Sequence, residues 1–248
     1  MIYIKSDKEI ELMRKPCEIV RDVLCLCEEK IRAGMTTKEL DKIACDYITS
    51  CGATPSFLGY GGFPAATCIS IDEQVVHGFP SDRIIEEDQI VSVDVGAFFN
   101  GFHGDAARSL YVGHISPEKK KLIDVTRECF FEGIKGICIG SALGDIGAQV
   151  QEHAEKNGFS VVRDMVGHGV GRHLHEDPSV PNYGKRGVGV RLKRNMTIAI
   201  EPMINMGTAD IKTMPDGWTV KTKDGKWAAH FEHTIAVTPD GAVILTKV

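Results

Sequence analysis

Four acids and one histidine stand in stretches of this sequence that otherwise read as buried. Asp94 and Asp105 lie in VSVDVGAFFNGFHGDAARSLYVG (91–113), Glu201 in TIAIEPM, Glu232 in AHFEHTIAV, and His168 in VGHGVGRHLHEDP. Taken singly, each has a plain structural reading, because a lone strand acid or histidine is usually satisfied by its surroundings. Taken together they are four carboxylates and one imidazole. If they converge, four negative charges repel one another, and two divalent cations bring the formal sum to zero. Oxygen-rich ligation with a single histidine suits Mn, Fe(II) or Co more than a structural zinc site, with Zn also admissible. Two ions roughly 3.5–4 Å apart are a known device for hydrolysis, clamping and activating a shared water.

The first two acids sit in a predicted hairpin. Asn100-Gly101 is the strongest short turn signal in the chain, since a type I′ turn needs positive φ at both positions. With that turn, Phe99 pairs with Phe102, Asp94 lies opposite Ala107, and Asp105 lies opposite Gly96. Side chains alternate with period two, so both aspartates project to one face as diagonal neighbours, roughly 7–8 Å apart. The flanking Val91, Val93, Val95, Phe98 and Phe99 leave both faces apolar or small. Acids in such a place have to be neutralised by a proton, a base or a metal.

Other elements must position these residues. Ser6 with Glu9 and Thr36 with Glu39 have capping-box spacing, and apolar residues recur at helical period after each, to Gly34 and Gly52. Pro16 is a place where the first helix could kink or restart. Residues 53–66 read as a loop, with TCISI and QVVHGF as short strands after it. Ser116-Pro117 starts a helix to about Ile139, and Ser141 caps another ending near Asn157-Gly158. SVVRDMV and TIAIEPMI follow as strands, then a hairpin of TVKTKDGKW and AAHFEHTIAVT around Asp224-Gly225. Helix, helix, strands thus occurs twice without letter-by-letter repetition. This predicts one α+β domain over 1–248 with related halves of about 1–115 and 116–248.

Composition excludes several classes. A net charge of −5 gives no broad footprint for nucleic acid or an anionic membrane, and Lys119–Lys121 reads as a solvated face at a helix start. No stretch is long and apolar enough to span a bilayer, and the charged MIYIKSDKEIELMRKP is no signal peptide, so a cytoplasmic protein is expected. Eight cysteines without a C-x-x-C pair read as reduced, packed thiols.

The motifs VVHGFP, VSVDVGAFFNGFHGDAARSL, GHGVGRHLHEDP, TIAIEPM and HFEHTIAV, in this order and spacing, resemble those of type I, bacterial-type methionine aminopeptidases along nearly the whole chain. The resemblance implies the pita-bread fold, with helices over a central antiparallel sheet. It implies two divalent ions held by Asp94, Asp105, His168, Glu201 and Glu232. It further implies that a hydroxide between the ions attacks the carbonyl of an N-terminal methionine, with Glu201 as proton shuttle. His77 is expected at the scissile amide and His175 at the developing oxyanion. Tyr60, Phe63, Cys68 and Trp218 are expected around the methionine side chain, although an aromatic stripe is more often core. Phe57, Gly61 and Leu174 depart from the residues common there, cysteine, histidine and phenylalanine. His103, His114, His153, His173, His230 and His233 match no ligand position and read as structural. The implied partners are N-terminal Met peptides of nascent proteins, with transient ribosome contact and a monomeric state as further expectations.

Three alternatives stand beside this reading. Prolidase and aminopeptidase P share the fold, but carry a large extra N-terminal domain, whereas this chain begins a few residues before its first helix. Type II methionine aminopeptidases carry a long insertion between the last two glutamates, and only thirty residues separate Glu201 from Glu232. A non-catalytic binding protein of this fold is the third alternative; it would be expected to have lost ligands, and all five are present.

Overall fold

A computed structural model describes residues 1–247. The first two helices start as the capping boxes predict. Ser6 Oγ accepts the Glu9 N–H, while the Glu9 carboxylate accepts the Ser6 N–H; Thr36 and Glu39 repeat the exchange. Helix α1 covers Asp7–Lys30 and runs unbroken through the buried Pro16. Helix α2 covers Thr37–Ser50, and Gly52 takes φ +72 just beyond it.

Strands β1 (Thr54–Pro55), β2 (Thr67–Ile71) and β3 (Gln74–Val76) lead to a hairpin of β4 (Ile90–Phe99) and β5 (Phe102–Tyr111). Its turn is the one predicted, with φ 48 at Asn100 and 85 at Gly101. Phe99 faces Phe102, Asp94 faces Ala107, and Gly96 faces Asp105. Helix α1 packs directly on this hairpin because Gly104 has no side chain; a Cβ there would lie 2.6 Å from the Cys17 backbone nitrogen.

The second helix pair is α3 (Pro117–Ile134) and α4 (Leu143–Lys156). Three details differ from expectation. Helix α3 stops at Ile134 rather than near Ile139, and Gly136 turns the chain at φ +72. The cap of α4 is Ala142, whose N–H is accepted by Asp145 at 2.7 Å, while the predicted cap Ser141 instead accepts the Cys138 N–H. Lys119 is buried rather than solvated, its ammonium 3.2 Å from Asp72 and 4.7 Å above the Trp227 ring.

The remaining strands are short: β6 (Ser160–Val161), β7 (Gly167–Gly169), β8 (Glu176–Val180), β9 (Thr197–Ile200), β10 (Met203–Asn205), β11 (Ile211–Thr213), β12 (Val220–Thr222), β13 (Ala228–His230), β14 (Glu232–Thr238) and β15 (Gly241–Ile244). The hairpin expected around Asp224-Gly225 does not form. Strand β12 pairs with β11 and β3, burying Val220 beside Val75 and Val76, while β13 pairs with β10. Burial of apolar side chains across distant strands outweighs the local turn signal.

Nine strands make one antiparallel sheet in the order β1-β4-β5-β14-β9-β7-β8, with β2 on β4 and β15 on β14. One apolar core lies between α1, α2 and the β2/β4 side; another lies between α3, α4 and the β9/β14 side. The β5–β14 pairing joins the strands of the two sides. Helices over a central antiparallel sheet is the α+β architecture the sequence predicts.

Candidate metal centre

Residues directly opposite one another form rungs across this sheet. One rung runs Asp94, Ala107, Glu232 across β4, β5 and β14. Glu201 extends it. Ile200 faces His233 on one side of Glu201-Pro202 and Met203 faces His230 on the other, in unchanged register, and the Phe231 N–H donates to Pro202 O at 3.1 Å between them. Glu201 therefore lies opposite Glu232. Pro202 has no N–H to continue the ladder, which is why β9 and β10 are separate strands.

The adjacent rung carries Gly96 and Asp105, then Thr234, Ala199 and His168. Thr234 replaces a ladder bond here: its Oγ1 accepts the Asp105 N–H at 3.2 Å and donates to Asp105 O at 2.8 Å. The rungs are two residues apart on every strand, so their side chains share a face. Asp94, Asp105, His168, Glu201 and Glu232 accordingly all line one cavity of about 370 Å³. The structure brings the five predicted residues together, with the two aspartates on one face.

The electrostatics call for cations. Asp94 Oδ1 and Asp105 Oδ1 are buried without a hydrogen-bond partner among the described residues. Among the described residues, the bases within 4.0 Å of these carboxylates are imidazoles: His168 Nε2, 3.7 Å from both Asp105 Oδ2 and Glu201 Oε1, and His230 Nε2. Burial pushes the Asp94 carboxyl up to about 7. Burial and then repulsion from neighbouring acids raise Asp105, Glu201 and Glu232 well above the carboxylate range. Burial lowers His168 to about 3, keeping its ring neutral. His168 Nδ1 lies 2.8 Å from Gly169 O, so Nδ1 carries the proton and the Nε2 lone pair faces the acids. Unpaired buried carboxylate oxygens and a neutral, aimed imidazole fit divalent metal ions.

The other predicted residues line the same cavity. His77 closes β3 at φ 58, an unusual conformation for a non-glycine residue. Gly78 follows it where the chain crosses β2: a Cβ there would lie 2.4 Å from Ile69 O. His175 Nδ1 is 2.7 Å from Tyr60 Oη, and its ring stands 4.3 Å from that of His168. Phe63 meets Trp218 edge-on at 5.2 Å, while Cys68, Phe57 and Leu174 are buried in the same apolar cluster. Gly61 lies beside that indole at φ 56, and a Cβ there would touch Trp218 Cη2 at 3.4 Å, an ordinary van der Waals contact.

Sequence reasoning passed over His230. It is 1% exposed, and its Nε2 lies 3.7 Å from Glu201 Oε2 and 3.9 Å from Glu232 Oε2. The available signal was alternation, since His230 stands two residues before Glu232. His103, His153 and His233 lie outside the cavity as read, bonded to Ser56, Glu128 and Thr246.

A buried, carboxylate-rich metal cavity on this sheet defines a metal-dependent hydrolase, and the chain belongs to metallopeptidase family M24, which it matches over residues 11–239. Its fold is the pita-bread fold. Within that family it is similar to bacterial methionine aminopeptidases. The methionine aminopeptidase of Clostridium perfringens is 53% identical over 248 residues, all of both chains. The crystal structure of the Thermotoga maritima methionine aminopeptidase superposes with a TM-score of 0.98 at 46% identity, covering 100% of each chain. A prolidase from Pyrococcus furiosus is more distant, at TM-score 0.79 and 26% identity, with 65% of that chain covered.

Proposed function

We propose that this chain is a methionine aminopeptidase that removes the N-terminal methionine from nascent or newly made proteins with a small second residue. The observation that carries the reading is one cavity holding both the acid-lined rungs and an apolar pocket closed by Phe63, Trp218 and Phe57. Two divalent ions, of Mn, Fe(II), Co or Zn, would be held by Asp94, Asp105, His168, Glu201 and Glu232; when bound they supply Lewis-acid polarisation and lower the pKa of water.

The side chains do the rest. Glu201, a buried carboxyl with a raised pKa, takes a proton and returns it to the leaving amine. When Tyr60 O–H donates to His175 Nδ1, the imidazole proton stays on Nε2, which makes His175 the donor that a developing oxyanion needs. His77 hydrogen-bonds the scissile amide, and the strained backbone of His77 supports a positioned role. Tyr60, Phe63, Cys68 and Trp218 receive the methionine side chain. In this reading residues 1–248 are one catalytic unit, cytoplasmic and monomeric, with transient ribosome contact; light scattering and ribosome cosedimentation check the last two.

The test is methionine release from a Met-Ala-Ser peptide, with and without chelator and added Mn or Co. Metal-dependent release is expected, and Asp94→Ala abolishes it while circular dichroism is unchanged. No metal-dependent release would sink the proposal; release of X from X-Pro peptides instead would move it to the prolidase side.

A further inference from the structure

We propose that His230 is a sixth metal-binding side chain, contributing a second imidazole to the ion shared by Glu201 and Glu232. The inference rests on the metal-centre reading above and deepens it. Three observations carry it. Strand β13 places His230 one rung beyond Glu232, on the same face, directly opposite Met203. Its Nε2 is buried and has no hydrogen-bond partner among the described residues. Finally, it stands off Glu201 and Glu232 by 3.7 and 3.9 Å, which matches the 3.7 Å by which His168 stands off Asp105 and Glu201.

Those separations are too long for hydrogen bonds. They suit a gap with an ion in it: metal–ligand bonds of roughly 2.0–2.2 Å at right to tetrahedral angles hold N and O about 3–3.6 Å apart. A small inward movement of the carboxylates closes the difference. The backbone behind the ring is fixed, because the His230 N–H donates to Ser109 Oγ at 2.9 Å and Ser109 Oγ in turn bonds His230 O. Glu201, His230 and Glu232 thus form a ligand trio beside the Asp105, His168, Glu232 trio, with Glu232 in both. A second imidazole shifts the site from Mn towards Fe(II), Co or Zn, because nitrogen ligands favour these metals.

Pulsed EPR on protein loaded with Mn(II) and labelled with ¹⁵N-histidine reads this without assaying activity. Nitrogen couplings from two imidazoles are expected in the unmutated protein, and from one in His230→Gln and in His168→Gln. Calorimetric titration of His230→Gln with Co(II) should show one of two ions bound at least about tenfold more weakly, with a smaller loss for Mn(II). Two bound ions with a single coupled imidazole, or a His230→Gln variant with unchanged Co(II) affinity, would overturn the proposal and leave the metal-centre reading intact. Absence of any bound metal would overturn both. The spectrum of the unmutated protein decides the question even if the variants fold poorly.

Discussion

Glu201 faces Glu232 across a β-ladder that Pro202 interrupts, so the carboxylate assigned the proton sits in the two-residue gap, Glu201-Pro202, where β9 has ended and β10 has not begun. Asn182 Nδ2 donates to the Glu201 carbonyl at 2.9 Å and fixes the backbone there. Glu201→Gln keeps this shape and removes the proton carrier. Single-turnover methionine release should fall at least about 10²-fold, in the range for a lost general acid–base. A fall smaller than threefold would reassign the proton.

Stability of the metal-free protein should depend on pH in two opposed ways. Asp94, raised to about 7, and the more strongly raised Asp105, Glu201 and Glu232 bind protons more tightly folded than unfolded. Their contribution is full below the unfolded carboxylate pKa of about 4 and is lost as pH rises through the folded values. His168 and His230, lowered to about 3, act the other way: their contribution is full above about 6.5 and is lost as pH falls. Of these groups, only the carboxylates still change protonation in the folded state above pH 6.5. Chelator-treated protein should therefore lose melting temperature between pH 6.5 and 8.5, and saturating divalent metal should remove that slope. A flat metal-free profile would contradict the burial of these charges.

The Lys5 ammonium lies 2.5 Å from Glu176, and both side chains are almost fully buried, at 1% and 7% exposure. Glu176 also accepts the His173 N–H, so the pair ties the N-terminal segment to the loop bearing His175. Lys5→Met leaves a buried carboxylate unpaired and should cost about 3–5 kcal/mol in denaturant unfolding. Lys5→Met with Glu176→Leu should recover most of that loss. If the double variant is no better than the single, the pair is not the interaction that matters.

Phe57 narrows the apolar end of the cavity and is 8% exposed. Phe57→Ala should raise KM for Met-Ala-Ser with kcat nearly unchanged, the signature of lost uniform binding. It should also admit an N-terminal phenylalanine peptide. Unchanged KM and unchanged selectivity would remove Phe57 from the methionine pocket.

What could be read from the sequence was what short-range chemistry decides. Asn100-Gly101 fixes the register of Asp94 and Asp105 because few other dipeptides accept positive φ twice. Ser6/Glu9 and Thr36/Glu39 mark helix starts because the bonds they make are three residues long. What could not be read depends on strands meeting from far apart: β12 leaves the Asp224-Gly225 turn to bury Val220 against β3, and Lys119 is drawn inward by Asp72 and the Trp227 ring. For His230 the alternation with Glu232 was legible, but its approach to Glu201 is made by the distant β10–β13 pairing.

The two rungs draw their side chains from hairpin residues near 100, from His168, and from a pair of glutamates ending at 232. In chain order both aspartates come well before β14, the strand that carries Glu232. Until β14 inserts between β5 and β9, the two sides of the sheet have no common edge. Strand β14 is thus the keystone of the cavity: the aspartates on β4 and β5 reach one face with His168 and Glu201 only through the strand that lies between them.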